Sequence, residues 1–407
     1  MSVKHSPAYI AATVIRAGAL GVWGLAVPAL LSVTDYGVYG VLATTVMLAA
    51  QLSMLGAPQT LVANPTRQLP VAGLAVHSTL LALVVGGVLV AVLPSVGMGR
   101  YGLIVAGTMA LVAYKLAGAR ARSALAFRAT LASEAAVATT FLIAGITMEA
   151  LRRGCGARCP SGNTAVIAEA LAFGMGALVL VVAPSLRPSR EELSIRGVRP
   201  WLPWVYSIGL LSLLDVVLLR RIEVYFLELS PDGLPGVAAF SLAAQFGSMI
   251  QLLPVAMIET WQPQLARLWE SDREGFAQAF HRIQRIHLLL TGGLFLAGVP
   301  IAMAAVFVGF TKYQPWLVPI ALITAARIFF VATALYSGTL YAIGRYRFLY
   351  RPVAIGAATA VAANAALTLR LGLSGAVGAV VIAQVVLSWL TWRAFGRATA
   401  PETRTGR

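Results

Sequence analysis

Apolar residues run along this chain in long blocks. They do not show the short alternation of a half-buried strand or the narrow stripe of a soluble helix. A membrane-crossing helix needs about 20 mostly apolar residues. Twelve stretches meet that length: 8–32, 36–62, 69–93, 101–121, 129–150, 163–184, 203–229, 235–260, 286–309, 315–343, 350–369 and 373–395. The pattern predicts an all-α protein with twelve transmembrane helices and no connection long enough to hold a soluble domain. The first apolar run, Ala8 to Leu31, follows Lys4. It exceeds the roughly 7–15 residues of a signal-peptide core and contains Arg16, so it predicts a membrane helix.

The most basic break is "RPSREELSIRGVRP", Arg187 to Pro200. It divides the spans six and six, giving an N-terminal half over 1–186, a linker over 187–200, a C-terminal half over 201–396 and a tail over 397–407. Six is even, so the halves would cross the membrane in the same sense, as parallel repeats do. A faint echo supports a repeat: "LLSVTDYGVYGVLATTVMLAAQ" opens the second span and "ELSPDGLPGVAAFSLAAQ" the eighth. One segment differs in kind. In Leu265–Ile286, Leu265, Leu268, Trp269, Phe276, Phe280 and Ile283 recur near helical spacing with charges between them. This predicts an amphipathic helix along the inner membrane surface.

Composition agrees with the blocks. The chain has 407 residues, 59% hydrophobic and 11% charged, with mean hydropathy +0.81, whereas soluble domains carry about 25% charged residues. The net charge of +16 would suggest nucleic acid in a soluble protein. Here the cations sort by side. With both termini inside, 21 Lys and Arg fall in inner segments and 6 in outer ones. That asymmetry predicts an inner-membrane protein with cytoplasmic termini and no nucleic-acid partner.

Four arginines remain within spans: Arg16, Arg220, Arg221 and Arg327. Arg at the centre of a membrane helix costs about 2.5–3.5 kcal/mol on insertion scales. The seventh span, "LLDVVLLRRIEVYF", gathers most of the charge. On a helix, Ser212, Asp215, Arg220 and Glu223 share an arc of roughly 140°, with Arg221 about 100° away. Arg220 and Glu223 can pair as i, i+3 neighbours, either to lock packing or to balance charge at a binding site. Arg fits the planar oxygens of phosphate, so the four arginines are candidate groups for an anionic cargo. Asp215, Glu223, Glu134 and Glu169 are candidate charge-balancing or coupling groups. Of the four histidines, His77 is taken as the one within a span, either packed or carrying a coupling proton. Cys155 and Cys159 lie in the outer loop "RRGCGARCPSGN", as two thiols or a disulfide. No phosphate-binding loop, nucleophile elbow or metal-ligand cluster occurs, so neither catalysis, a metal nor another cofactor is expected beyond a coupling proton or sodium ion.

Two stretches carry a family resemblance. "LLSVTDYGVYG", Leu30 to Gly40, is similar to the Leu-Ser-x-x-x-Tyr-Gly-x-Tyr turn of polysaccharide flippases of the multidrug/oligosaccharidyl-lipid/polysaccharide (MOP) exporter superfamily. "RRIEVYFL" followed by "GVAAFSLAAQFGSMIQLLPVAMIETWQPQL" resembles their seventh and eighth helices, with Glu223 where Asp is usual and Ala239-Phe240-Ser241 in place of Tyr-Ser. The resemblance implies two six-helix lobes in a V and alternating access. The cargo implied is a glycan linked to an undecaprenyl-pyrophosphate type of lipid, moved from the inner to the outer leaflet by a monomer working beside glycosyltransferases and a polymerase. A multidrug antiporter of the same superfamily and a membrane glycan polymerase or ligase are the alternatives.

Overall fold

The computed structural model describes residues 7–54, 57, 71–92, 98–123, 126–154, 160–186, 211 and 222–400. The Arg187–Pro200 linker, Asp215, Arg220, Arg221, Cys155 and Cys159 lie outside the described residues. Among those described there are twelve α-helices and no strand. They are α1 (Pro7–Leu30), α2 (Val33–Met54), α3 (Val71–Val92), α4 (Tyr101–Ser123), α5 (Phe127–Gly154), α6 (Gly162–Val182), α7 (Ile222–Glu228), α8 (Gly233–Ser271), α9 (Arg273–Val308), α10 (Leu317–Ala342), α11 (Tyr350–Ala363) and α12 (Leu369–Thr399). Eight helical stretches among them are long and apolar enough to cross a membrane. Leu289, Leu296 and Val308 are more than 70% exposed, as side chains facing lipid must be. This is a multi-pass membrane protein.

The chain forms two compact units, Met1–Leu213 and Leu214–Arg407. Each unit repeats one plan of helix neighbours. In the first, α2 packs on α3, α4 and α6, α3 on α4, and α6 on α4 and α5. In the second, α8 packs on α9, α10 and α12, α9 on α10, and α12 on α10 and α11. Small residues permit these approaches. Along α8, Val237, Ala238, Ala239, Phe240, Leu242 and Ala243 are fully buried. Such a helix start is enclosed on all sides, with alanines letting backbones come close. This is the stretch that carried the second sequence resemblance.

The two turns echoed in the sequence occupy matching places. In the first turn of α2, the Asp35 carboxylate accepts a 2.6 Å hydrogen bond from Ser32, and the Asp35 backbone lies against Gly162 at the start of α6. Before α8, Asp232 reaches the start of α12, where its carboxylate accepts a 2.6 Å hydrogen bond from the Leu373 N–H. There the chain reverses after a π-helical turn, Asn364–Thr368, through Gly372 at φ 58°. A side chain at Gly372 would collide with the Asp232 carboxylate, and positive φ disfavours other residues.

The segment Leu265–Ile286 departs from the expected surface helix. It breaks at Asp272, whose carboxylate caps α9 by accepting from the Gly275 N–H at 2.9 Å. Residues 265–271 end α8 and residues 273–286 begin α9. The apolar face packs on protein. Trp269 meets Phe276 at 5.0 Å, and Phe280 stacks on Phe395 of α12 at 4.4 Å. Leu265, Trp269, Phe276, Phe280 and Ile283 are all buried.

The Asp232 contact generates a stability prediction. Asp232→Ala leaves the Leu373 N–H without its charged acceptor, a loss of about 1–3 kcal/mol. It should lower the apparent thermal midpoint of the detergent-solubilised chain. Asp35→Ala removes only an exposed local bond and should lower it less. Equal midpoints for Asp232→Ala and the unmodified chain would show that the contact is not structural.

Candidate functional site

In the first unit, two carboxylates face into a shared aromatic array. Glu134, on α5, is 5% exposed. It accepts a 2.7 Å hydrogen bond from the Tyr114 hydroxyl of α4, and Arg16 of α1 approaches it at 3.9 Å. Glu169, on α6, accepts from Trp23 Nε1 of α1 at 3.2 Å and from the Tyr39 hydroxyl of α2 on the same oxygen. Rings connect the two acids. Trp23 stacks on Phe141 at 4.9 Å, Phe141 meets Phe173 edge-on at 6.1 Å, and Phe173 lies 5.3 Å from Tyr114. Five helices thus converge on one polar-aromatic layer, and an apolar medium strengthens each hydrogen bond in it.

The layer opens on a groove of about 730 Å³ between α1 and α5. Gly18, Val22, Trp23, Phe141 and Gly145 line it, and Glu149 and Arg153 close one end. Glu149 accepts from Arg152 at 2.7 and 3.0 Å and from Arg153 at 2.5 Å. The Arg16 side chain is 38% exposed, so its guanidinium remains open to a ligand while held near Glu134. His77 lies on α3, half-buried.

In the second unit, Arg327 sits eleven residues into α10 and is 5% exposed. Gly247 of α8 makes room for it, since a Cβ there would lie 2.5 Å from Arg327 Cγ. Glu223, on α7, is 2% exposed. One turn beyond Arg327, the Val331 carbonyl lies 3.3 Å from His287 Nε2. His287 is fully buried on α9, so His77 does not stand alone as a histidine within a span. Because α9 runs unbroken from Arg273 to Val308, His287 belongs to a membrane helix. Its position inside the 286–309 apolar run was the available sequence signal.

The sequence-predicted residues therefore group by unit: Arg16, Glu134 and Glu169 in the first layer, and Glu223 and Arg327 buried in the second unit. The groups that sequence reasoning missed are the hydrogen-bonding aromatics Trp23, Tyr39 and Tyr114. No group of three or more His, Cys, Asp or Glu side chains suited to a metal occurs among the described residues.

No protein-family model and no curated protein sequence matches the chain. Solved structures match over nearly its full length. An inward-facing conformation of a multidrug resistance MATE family transporter of the MOP superfamily is 18% identical, with TM-score 0.57 over 98% of this chain and 96% of that one. An outward-facing conformation of such a transporter is 14% identical, with TM-score 0.63 over 97% and 96%. MATE in complex with MaL6 is 15% identical, with TM-score 0.64 over 97% and 96%. At such identities the likeness establishes architecture: this chain has the twelve-helix, two-lobed MOP fold seen in MATE family transporters.

Proposed function

We propose that this chain is an alternating-access transporter that flips an isoprenoid-pyrophosphate-linked oligosaccharide from the inner to the outer leaflet of the cytoplasmic membrane, for export of cell-surface polysaccharide. The fold supports transport, because solved proteins sharing it occur in inward-facing and outward-facing conformations. The observation that carries the cargo class is Arg327, 5% exposed in an apolar helix with a glycine opposite its stem. A charge there costs about 2.5–3.5 kcal/mol on insertion scales. Leu or Met would fill the space without that cost, whereas the guanidinium brings charge and hydrogen-bond donors to it. Its planar fork suits phosphate oxygens. Arg16, partly open beside Glu134, is assigned the same role in the first unit. Arg220 and Arg221, with Asp215 balancing them, complete the assignment from sequence. Glu134, Glu169, Glu223 and His77 balance these charges or carry a coupling proton or sodium ion. The chain works without a prosthetic group, beside glycosyltransferases and a polymerase, as a monomer with both termini cytoplasmic.

A second reading has its own support. Carboxylates set among aromatic rings, as Glu134 and Glu169 are with Trp23, Phe141, Phe173 and Tyr114, are the groups that recognise organic cations. Multidrug transporters share the fold. Under this reading Glu169 holds the cation and the arginines are structural.

Transport in proteoliposomes separates the two. With an isoprenoid-pyrophosphate oligosaccharide as cargo, Arg327→Ala and Arg16→Ala should each reduce flipping about 10- to 100-fold, the worth of a lost charge-assisted contact, without loss of folded protein. Arg327→Lys should recover part of it, because a point charge cannot form the bidentate fork. A cationic dye should not be moved. Dye export that survives Arg327→Ala and disappears with Glu169→Gln, with no lipid flipping, would establish the multidrug reading instead.

Orientation gives a further test. After reduction, an impermeant thiol reagent should label Cys155 and Cys159 in intact cells, as the 21-to-6 cation asymmetry requires. Labelling that appears only once the membrane is broken would reverse the topology.

A further inference from the structure

A second polar feature lies apart from the layers described above, at one end of the α11–α12 hairpin. A groove of about 570 Å³ opens there between the two helices. Arg351, in the first turn of α11, and Arg393 and Arg397, in the last two turns of α12, stand around it. Ile355, Trp389 and Leu390 form its wall. Trp389, Arg393 and Arg397 recur every four residues and so share one face of α12. The Arg393 guanidinium lies over the Trp389 ring at 4.4 Å, which orients its fork.

Among the described residues no carboxylate balances the charge here. The sequence from Tyr350 to Ala400 contains no acidic residue. None of the three arginines forms an ion pair with a carboxylate among the described residues, and all three are exposed. Arginines at a helix C-terminus do complement its dipole. That accounts for Arg393 and Arg397 but not for Arg351, which stands at a helix start, where a cation is disfavoured. A shared anion explains all three. The wall tells which anion. Trp389 is 48% exposed, Ile355 is 38% exposed, and the adjacent Trp392 is 54% exposed. Arginines at a helix end beside exposed tryptophans mark the interfacial depth of a bilayer. A free phosphate would have no use for the apolar wall, whereas a lipid would cover it with an acyl chain.

We infer that this groove binds an anionic phospholipid of the surrounding bilayer, with its phosphate held by Arg351, Arg393 and Arg397 and an acyl chain along Ile355, Trp389 and Leu390. Each arginine near a membrane surface adds attraction toward anionic lipid, so the three together give selectivity over a zwitterionic lipid of the same chains. The site stands independently of the cargo assigned above, because none of its residues belongs to that assignment.

Native mass spectrometry of the full-length protein tests this. Phosphatidylglycerol should be retained about 100-fold more than phosphatidylcholine of identical acyl chains. The Arg351→Gln/Arg393→Gln/Arg397→Gln variant should lose that preference, while Arg282→Gln/Arg285→Gln on α9 should keep it. Equal retention of the two lipids by the unmodified protein, or an unchanged preference in the triple variant, overturns the inference. Displacement of the lipid by millimolar inorganic phosphate also overturns it, in favour of a free-anion site. Should the triple variant fail to fold, a phosphatidylglycerol with a photoreactive acyl chain can be crosslinked to the unmodified protein. Adducts on the peptides containing Ile355 or Trp389 sustain the inference; adducts only elsewhere refute it.

Discussion

The backbone polar groups that this chain carries into hydrocarbon have to find partners within the protein, because no water is present to supply them, and many buried side chains answer to the same demand. The backbone meets that demand through helices. The side chains meet it through a small number of long-range contacts. Glu169 takes two donors, from residues 146 and 130 positions away in sequence. Asp232 satisfies a backbone N–H 141 positions away at the reversal before α12. Hydroxyls fold back on their own helices, as Thr45 does to the Val41 carbonyl and Thr339 to the Leu335 carbonyl. These contacts position the helices that apolar packing alone would leave free to slide.

That division explains what could be read in advance. The spans were legible because the length of an apolar run answers directly to the thickness of a bilayer. The repeat was faintly legible because Asp35 and Asp232 each stand at the start of a helix that packs on three others of its unit. The break at Asp272 was missed although its signal was present: Ser-Asp ahead of Glu-Gly is a helix start, overlooked because the apolar spacing continues across it. The aromatic layer was not legible. Trp23, Tyr39 and Tyr114 become hydrogen-bond donors to carboxylates only once α5 and α6 bring Glu134 and Glu169 to them, and nothing local in their sequence marks them out.

The two units share a plan of neighbours but fill it with different chemistry. The first places two acids in an aromatic layer beside one arginine. The second encloses an arginine and a histidine on α10 and α9, against Gly247 and Val331. Shared architecture with distinct interiors is what a duplicated scaffold permits. Arg327 shows how closely the two are fitted: its stem occupies a place that Gly247 of α8 leaves open.

The helices that meet at Asp272 are longer than a bilayer requires. At 1.5 Å per residue, the 39 residues of α8 and the 36 of α9 have contours of about 58 and 54 Å, against a hydrocarbon core of about 30 Å. These helices therefore carry more length than the hydrocarbon needs, and their joined end is cross-braced by Trp269, Phe276 and Phe280. A binder raised against that end would meet a stiffened epitope built from two helices and not from a loop.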